Sequence, residues 1–453
     1  MDMGKVPTGS MKRMTEGPVL SQILVFMLPL LLGNLFQQLY NIVDAMIVGR
    51  LLGAGALAAV GSTTSVQFLV LGFCIGSCAG FGIPITQKFG SRDEEGMRRY
   101  IFHSALATML MAVCITLLAV CFCDRIITLM QTPDDIRSDA YLYLLVIFWG
   151  IPCTLLYNLV SSIMRALGNS KIPFVFLAIS TVLNIFLDLF CIAVLGWGCF
   201  GAAFATVASQ AVSGIGCLLY LLLYMKAAIP RGAERTFRPK IIARLLYMGL
   251  PMGFQYSITA IGSMVMQAAD NSLGSVYVSG FTAGTKIKQL MLTPYDALGT
   301  AMAGFVGQNV GAGDMKRVKR GIRQMLVTAL CYSGFVALVL ICFGRSLAGL
   351  FVSQSESMVI DAAYRYMAAL GAFYWLLAFL IVFRFAVQAL GYSLLTVFSG
   401  ALEMGARSVV SLVFVPLYGY TAICFTDQAA WLAATLYLSF LLWRVLGKKP
   451  ASD

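Results

Sequence analysis

Long apolar runs alternate with short charged segments along the whole chain. Seven runs contain no Asp, Glu, Lys or Arg: residues 51–87, 100–123, 140–164, 245–269, 324–344, 366–383 and 428–443. A helix that crosses a bilayer needs about 20 predominantly apolar residues. A first span, two spans divided by the Gly-rich stretch 195–201, and runs at 280–308 and 392–415 complete the set. The pattern therefore predicts an all-α integral membrane protein with twelve transmembrane helices.

The composition also indicates a membrane protein. Only 11% of the 453 residues are charged and 59% are hydrophobic, whereas soluble domains carry about 25% charged residues. The net charge of +12 does not indicate nucleic-acid binding, because the basic residues cluster in short segments between apolar runs. Such clusters are typical of cytoplasmic loops. We therefore expect a multi-pass protein in a lipid bilayer, with both termini in the cytoplasm.

Three sequence anchors recur along the chain with nearly the same spacing between their copies. The "LPL" around Pro29 in the first span returns as "LPM" in the seventh. The pattern Q-x-x-G-x-x-D starts at Gln87 and again at Gln308. The segment "RALGNS" at 165–170 returns as "QALGYS" at 388–393. The anchors predict a tandem duplication, with two pseudo-symmetric six-helix bundles related by an axis along the membrane normal.

The duplication divides the chain into five predicted segments. They are a cytoplasmic tail (1–18), an N-terminal lobe (19–225), a cytoplasmic linker (226–240), a C-terminal lobe (241–445) and a second cytoplasmic tail (446–453). Two lobes that meet at a pseudo-symmetry axis are the usual architecture of alternating-access transporters.

Two carboxyl groups occur where a span should be apolar. Asp44 is the only charged residue within span one, and Asp188 is the only one within spans five and six. A rise of about 1.5 Å per helical residue puts both in the outer half of the membrane. An ionised residue at that depth is costly and usually functional. Four polar side chains share the same predicted depth: Tyr40, Tyr143, Asn184 and Thr206.

Neighbouring carboxylates in a low-dielectric bundle have a recognisable chemistry. They can share a proton, or hold a small hard cation by their oxygens. We therefore expect a cation-coupling site in the N-terminal lobe. The alternative is that Asp188 only accepts hydrogen bonds within the bundle.

The second half does not repeat the acid pair. Its own buried charges are Lys286, Lys288, Asp296, Glu403 and Arg407. Glu403 and Arg407 are four residues apart on one predicted helix, so we expect them to neutralise each other. Asp296 is expected to line a cavity between the lobes, and the two lysines to pair with it or to extend to the membrane surface.

Five segments together resemble the multidrug and toxic compound extrusion (MATE) antiporters over essentially the whole chain. They are "NIVDAMIVGRLLGAGALAAVG" (41–61), "RALGNSKIP" (165–173), "NIFLD" (184–188), "GLPMGF" (249–254) and "VGQNVGAGD" (306–314). The resemblance implies a V-shaped, two-lobed transporter in the bacterial cytoplasmic membrane. It also implies export of cationic or amphipathic drugs and toxins in exchange for H⁺ or Na⁺.

The similarity to the DinF-like branch of this family implies residue roles. The matching cation-coupling residues, which are also a possible Na⁺ site, are Asp44, Asn184, Asp188 and Thr206. The expected substrate-cavity residues are Tyr40, Tyr143, Gln37, Asn158 and Asp296. Pro29, fifteen residues before Asp44, matches a conformational hinge. Another branch carries an essential Glu on helix seven, where this chain has Thr259, which argues against a coupling site in the C-terminal lobe.

Other functions fit the pattern less well. A flippase of a lipid-linked sugar or oligosaccharide would have several basic residues in its cavity, and Lys286, Lys288, Arg384 and Arg407 keep that alternative open. A major-facilitator transporter also has six plus six helices, but the anchors fit it poorly. An enzyme is not expected, because the lone His103 cannot build a metal cluster and the loops are short. We expect a monomer with no cofactor other than the coupling ion.

Overall fold

Fourteen α-helices account for most of the described chain. The computed structural model describes residues 11–130, 132–352 and 356–447, and no β-strand occurs among them. The predicted tails, 1–18 and 446–453, lie partly outside these residues. The helices are α1 (Val19–Leu51), α2 (Ala54–Gly90), α3 (Glu94–Leu129), α4 (Asp134–Trp149), α5 (Ile151–Ala166), α6 (Lys171–Leu189), α7 (Gly198–Tyr224), α8 (Pro239–Asn271), α9 (Ser275–Gly311), α10 (Met315–Ala348), α11 (Ser357–Ala389), α12 (Ser393–Val409), α13 (Val415–Tyr418) and α14 (Tyr420–Leu446). The predicted all-α class is confirmed.

The twelve predicted spans correspond to these helices. A π-helical turn, Phe190–Val194, extends α6, and a second, Val410–Phe414, joins α12 to α13. With these turns included, nine helices of the described residues are long and apolar enough to cross a membrane, and α4 with α5 forms a tenth span bent by 44°. The bend falls at Gly150 and Pro152, because proline lacks an amide donor and clashes with the preceding turn.

The two remaining spans, α8 and α9, are long but more polar. They contain 33 and 37 residues, which is ample for a bilayer crossing. Both pack against helices of the first half, α8 on α2 and α9 on α1 and α2. A helix with protein on much of its surface tolerates polar residues that lipid would not.

Both halves pack their helices in the same way. In the first half, α1 packs on α6, α6 on α7, and α5 on both α2 and α7. In the second half, α8 packs on α12, α12 on α14, and α11 on both α9 and α14. Each of these second-half contacts joins the spans that correspond to a first-half contact. The packing therefore follows the duplication that the sequence anchors predict.

The halves meet along a seam formed by α2 with α8 and by α1 with α9. Glycines bring α2 and α8 close together. A Cβ atom on Gly80 would lie 2.6 Å from Met248 O, and one on Gly76 would lie 2.6 Å from Met252 O. Small residues are the usual means of close helix contact in membranes. Phe26 of α1 also joins the apolar core of the second half.

The Lys and Arg clusters lie at one end of the molecule. We name this end, which carries the turns at 91–93, 167–170, 225–238, 312–314 and 390–392, the basic face. The other end is the opposite face.

The segment between α7 and α8 is docked on α3 at the basic face. His103 Nε2 accepts from Arg238 N at 2.8 Å, and its Nδ1 therefore donates to Arg99 O at 2.7 Å. The Arg98 Nε donates to both carboxylate oxygens of Glu234 at 2.9 Å. This hydrogen bonding lowers the pKa of the Glu234 carboxyl. The connection between the halves is thus held by the first half.

Candidate ion-coupling site

Asp44 on α1 meets Asp188 on α6. The two helices pack along each other, and the two carboxyl groups lie within hydrogen-bonding reach. Asp188 is fully buried and Asp44 is half-buried. One oxygen of each, Asp44 Oδ1 and Asp188 Oδ1, is shielded from solvent and has no hydrogen-bond partner. Because carboxylates only accept hydrogen bonds, a proton or a small cation between these oxygens would satisfy the pair.

Three polar side chains connect the acid pair to α7. Asn184 lies one turn before Asp188 on α6. With its amide oriented to satisfy both neighbours, it donates to Asp188 Oδ2 at 2.9 Å and accepts from Thr206 N at 3.2 Å. The Tyr40 hydroxyl lies 3.0 Å from Thr206 Oγ1. Thr206 therefore links α7 to both α1 and α6.

Tyr143 brings α4 to the same place. The residue is only 4% exposed, and Tyr40, Asp44 and Asp188 all lie within electrostatic range of its hydroxyl. Its helix packs on α7. The structure thus gathers six of the residues predicted from the sequence on four helices of the first half.

Both halves have a π-helical turn at this position, whereas only the first half has the acid pair. Asn184 and Asp188 share a helix face because they are four residues apart. Immediately afterwards α6 passes into its π-helical turn, a feature common at functional sites. The second half has a π-helical turn at the corresponding place after α12. The acid pair is therefore the feature that distinguishes the first half.

Two other predicted residues, Gln37 and Asn158, make side-chain contacts within their own helices. Gln37 Nε2 lies 3.5 Å from Asn41 Oδ1, and Asn158 Nδ2 donates to Thr154 O at 2.8 Å. Both of these contacts stay within one helix. Pro29 lies inside α1, which continues through it without a break.

Asp296 lies at the seam between the halves. Its side chain is exposed although it belongs to the middle of α9. Asp296, Arg165 and Arg384 are all within electrostatic range of the Tyr256 hydroxyl, and Tyr256 packs against Gly76 of α2. Since Arg165 comes from the first half and the others from the second, these groups lie where the halves face each other.

Five charged residues inside the second half form ion pairs with one another: Lys288, Arg384, Glu403, Arg407 and Asp427. Asp427 on α14 lies 2.8 Å from Lys288 Nζ and 3.2 Å from Arg407. Glu403 is bound by Arg384, whereas Arg407 is 3.9 Å from it. The expected pair of Glu403 and Arg407 is therefore present, although each residue also has a closer partner of opposite charge.

Two buried acids of the second half, Asp427 and Asp270, are not among the charges predicted from the sequence. Asp427 lies one residue before the charge-free run 428–443, so that run does not include it, although a single acid in "CFTDQ" is the same kind of signal as Asp44. Asp427 pairs with Lys288, for which the sequence predicts pairing with Asp296 or extension to the membrane surface, while Lys286 is exposed. Asp270, near the end of α8, is buried with both carboxylate oxygens unpartnered.

Several oxygens lie at the first-half site. Asp44 Oδ1 and Asp188 Oδ1 have no hydrogen-bond partner, while Thr206 Oγ1 and the Asn184 amide oxygen each have one. Oxygens of these types can share a proton or hold a small hard cation. No group of three or more His, Cys, Asp or Glu side chains suited to a metal ion occurs among the described residues.

Comparison with known proteins identifies the family. The MatE family model matches the chain twice, at residues 29–190 and 251–416, so each match begins at the proline of one of the two "LP" anchors. The chain is 31% identical over 352 residues to the "Probable multidrug resistance protein YpnP" of Bacillus subtilis (strain 168), covering 77% of this chain and 78% of that protein.

Solved structures agree with the fold. The TM-score is 0.88 against a MOP superfamily transporter from Pyrococcus furiosus, at 22% identity and with 98% of this chain and 100% of that chain covered. It is 0.86 against an outward-facing multidrug resistance MATE family transporter, at 22% identity and with 95% and 97% covered. The protein is therefore a multi-pass membrane transporter rather than an enzyme, and it belongs to the MatE family, the multidrug and toxic compound extrusion transporters.

Proposed function

We propose that the protein is a multidrug efflux antiporter of the bacterial cytoplasmic membrane. It would export cationic or amphipathic organic compounds by alternating access, as a monomer, with the basic face in the cytoplasm. Family membership and the multidrug resistance name of the B. subtilis relative support this substrate class. The basic clusters support the orientation. The observation that carries the proposal is the buried acid pair, Asp44 and Asp188, with one unpartnered oxygen each.

The proposed coupling ion is H⁺. Two free carboxylate oxygens provide what one shared proton needs, and they are few for Na⁺. The Asn184 amide oxygen and Thr206 Oγ1 each have one hydrogen-bond partner, which occupies at most one of the two lone pairs of each oxygen. The proposal takes the proton as the coupling ion because sharing it needs only the two unpartnered carboxylate oxygens.

Competition for one negative charge would couple the proton to the drug. Without a proton, the acid pair attracts a cationic drug into the cavity, which the proposal lines with Tyr40, Tyr143, Gln37, Asn158 and Asp296. A proton entering from outside is shared by the two carboxyl groups and lowers the charge of the pair from −2 to −1, so affinity for the cationic drug falls and the drug leaves outward. Coupling of this kind needs only a difference in affinity between the two states. Pro29 would act as the hinge of α1, because proline removes a backbone hydrogen bond.

A lipid-linked sugar flippase is not favoured. An anionic lipid headgroup would require basic side chains that are free to bind it. Three of the four candidate residues are engaged: Lys288 and Arg407 are paired with Asp427, and Arg384 is paired with Glu403. Of the four, this leaves Lys286, which is exposed.

Dye transport in proteoliposomes tests the proposal. We expect a fluorescent cationic dye to move under an imposed pH gradient and not under a Na⁺ gradient alone. Asp44→Asn should abolish that movement, because an amide cannot take up and release the proton. The matched control is Asp124→Asn, which removes an acid from an exposed ion pair with Arg137 and should transport normally. Undiminished transport by folded Asp44→Asn protein, or transport driven by Na⁺ alone, would refute the proposal.

A further inference from the structure

Two glutamines cross the seam at the basic face in a two-fold arrangement. Gln87, near the end of α2, donates from Nε2 to the carbonyl oxygen of Ala389, the last residue of α11, at 2.9 Å. Gln308, near the end of α9, donates from Nε2 to the carbonyl oxygen of Ala166, the last residue of α5, at 3.2 Å. The last carbonyls of a helix have no partner within it. Each half therefore caps a helix end of the other half.

The backbones touch beside these hydrogen bonds. A Cβ atom on Gly90 would lie 1.9 Å from Gln308 O, and one on Gly311 would lie 1.8 Å from Gln87 O. No side chain fits at either glycine while the seam is closed. The Q-x-x-G pattern, which occurs twice in the sequence, thus supplies both the hydrogen bond and the close contact on each side.

Residues 11–18, which precede α1, lie across one side of this contact; we name them the N-terminal strap. Met14 N donates to Gln308 Oε1 at 2.7 Å, and Asn309 Nδ2 donates to Met14 O at 3.2 Å. Toward the first half, Lys12 N donates to Leu167 O at 3.2 Å. The Met14 side chain is only 2% exposed. The strap therefore contacts both halves and shares Gln308 with the seam.

Two arginine side chains, Arg317 of the second half and Arg92 of the first half, bind the strap. The Arg317 guanidinium of α10 donates to Met14 O and Glu16 O at 3.2 Å and to Gly17 O at 2.8 Å. The Glu16 carboxylate lies 3.2 Å from Arg92 of the first half. The strap is thus fixed at the seam by a cluster of specific contacts.

We infer that Gln87, Gln308 and the N-terminal strap form a releasable latch that keeps the basic face closed. The inference rests on the proposed alternating-access function, in which this face must open to admit substrate. The two glutamine bonds join neutral amides to backbone carbonyls, so water can replace them when the halves separate. The latch is asymmetric, because Gln308 binds both the opposite half and the strap.

Distance measurements between the halves test the latch. Spin labels carried by unnatural ketone amino acids are placed at Lys171 and Lys319, which are exposed at the starts of α6 and α10; ketone chemistry avoids the 12 native cysteines. Distances are measured by pulsed electron paramagnetic resonance in lipid nanodiscs. The double variant Gln87→Met/Gln308→Met keeps similar side-chain volumes without the donors. We expect it to raise the ratio of separated to closed populations roughly five- to tenfold, as for two interhelical hydrogen bonds.

Single variants and a matched control complete the design. Gln308→Met should have the larger single effect, because it also loses the strap, and the singles serve if the double variant does not fold. The control, Gln67→Met/Gln267→Met, removes glutamines that bond four residues along their own helices, and should match the wild type. Unchanged distances in the latch variants overturn the latch even where the wild type transports dye. Shifted distances in a protein that moves no dye keep the latch and overturn the proposed transport function.

Discussion

The Asn184 amide holds one carboxylate of the acid pair in place. With both neighbours satisfied, its nitrogen donates to Asp188 Oδ2 and its oxygen accepts from Thr206 N. The amide thereby engages one oxygen of Asp188, while Asp188 Oδ1 and Asp44 Oδ1 keep no partner. We therefore expect Asn184 to position Asp188 for the exchange of the coupling ion.

Tyr40→Phe removes one hydroxyl from this site and keeps the aromatic ring. The lost partner is Thr206 Oγ1. One such hydrogen bond is worth about 1 kcal/mol, so we expect the initial rate of dye transport under a pH gradient to fall about fivefold. Tyr224→Phe, at a side chain that is 65% exposed, is the control. Equal rates for Tyr40→Phe and the wild type would show that this hydrogen bond does not support transport.

Asp427 on α14 contacts side chains from three other helices of the second half. It receives Lys288 from α9, the Tyr366 hydroxyl from α11 at 2.8 Å, and Arg407 from α12. A buried cluster of this kind is stable only when it is complete, since each charge left alone is costly. The cluster therefore serves to hold four helices together, and it leaves no free acid at this position for ion exchange.

Asp427→Asn should destabilise the protein strongly. Lys288 and Arg407 would lose the carboxylate that neutralises them, and removing one partner of a buried pair costs about 3–5 kcal/mol. We expect a clear fall in the thermal unfolding midpoint in detergent. Asp361→Asn breaks a pair with Arg345 in which the side chains are 56% and 67% exposed, and should change stability by less than about 1 kcal/mol. Equal midpoints for the two variants would contradict the role given to Asp427.

At the scale of the whole molecule, the sequence predicts those features that depend on the type of residue and on the spacing between residues. The spans follow from apolar length, the duplication from three anchors, and the acid pair from single charges in apolar runs. Asp427 is also a single acid beside an apolar run, but it lies one residue outside the charge-free run 428–443. The partners of Gln87 and Gln308 could not be predicted, because they are backbone carbonyls that any residue supplies. Contacts of that kind appear only when the helices are placed in space.

The two halves thus share a fold and differ in chemistry. The first half keeps two adjacent acids with free oxygens. The second half engages Asp427 and Glu403 with its own cations and has in Asp270 a single buried acid with unpartnered oxygens. At the basic face the halves are joined by paired glutamines. We therefore expect one half to exchange the ion and the seam to control access.

Proton release on drug binding can be followed with a pH-indicator dye and purified protein in weakly buffered detergent. Because two carboxyl groups share one proton, the wild type should release about one proton per cationic drug bound. Asp44→Asn and Asp188→Asn should release none, with binding followed in parallel by fluorescence. Release of the same number of protons by the wild type and both variants would mean that the exchanged proton is held elsewhere.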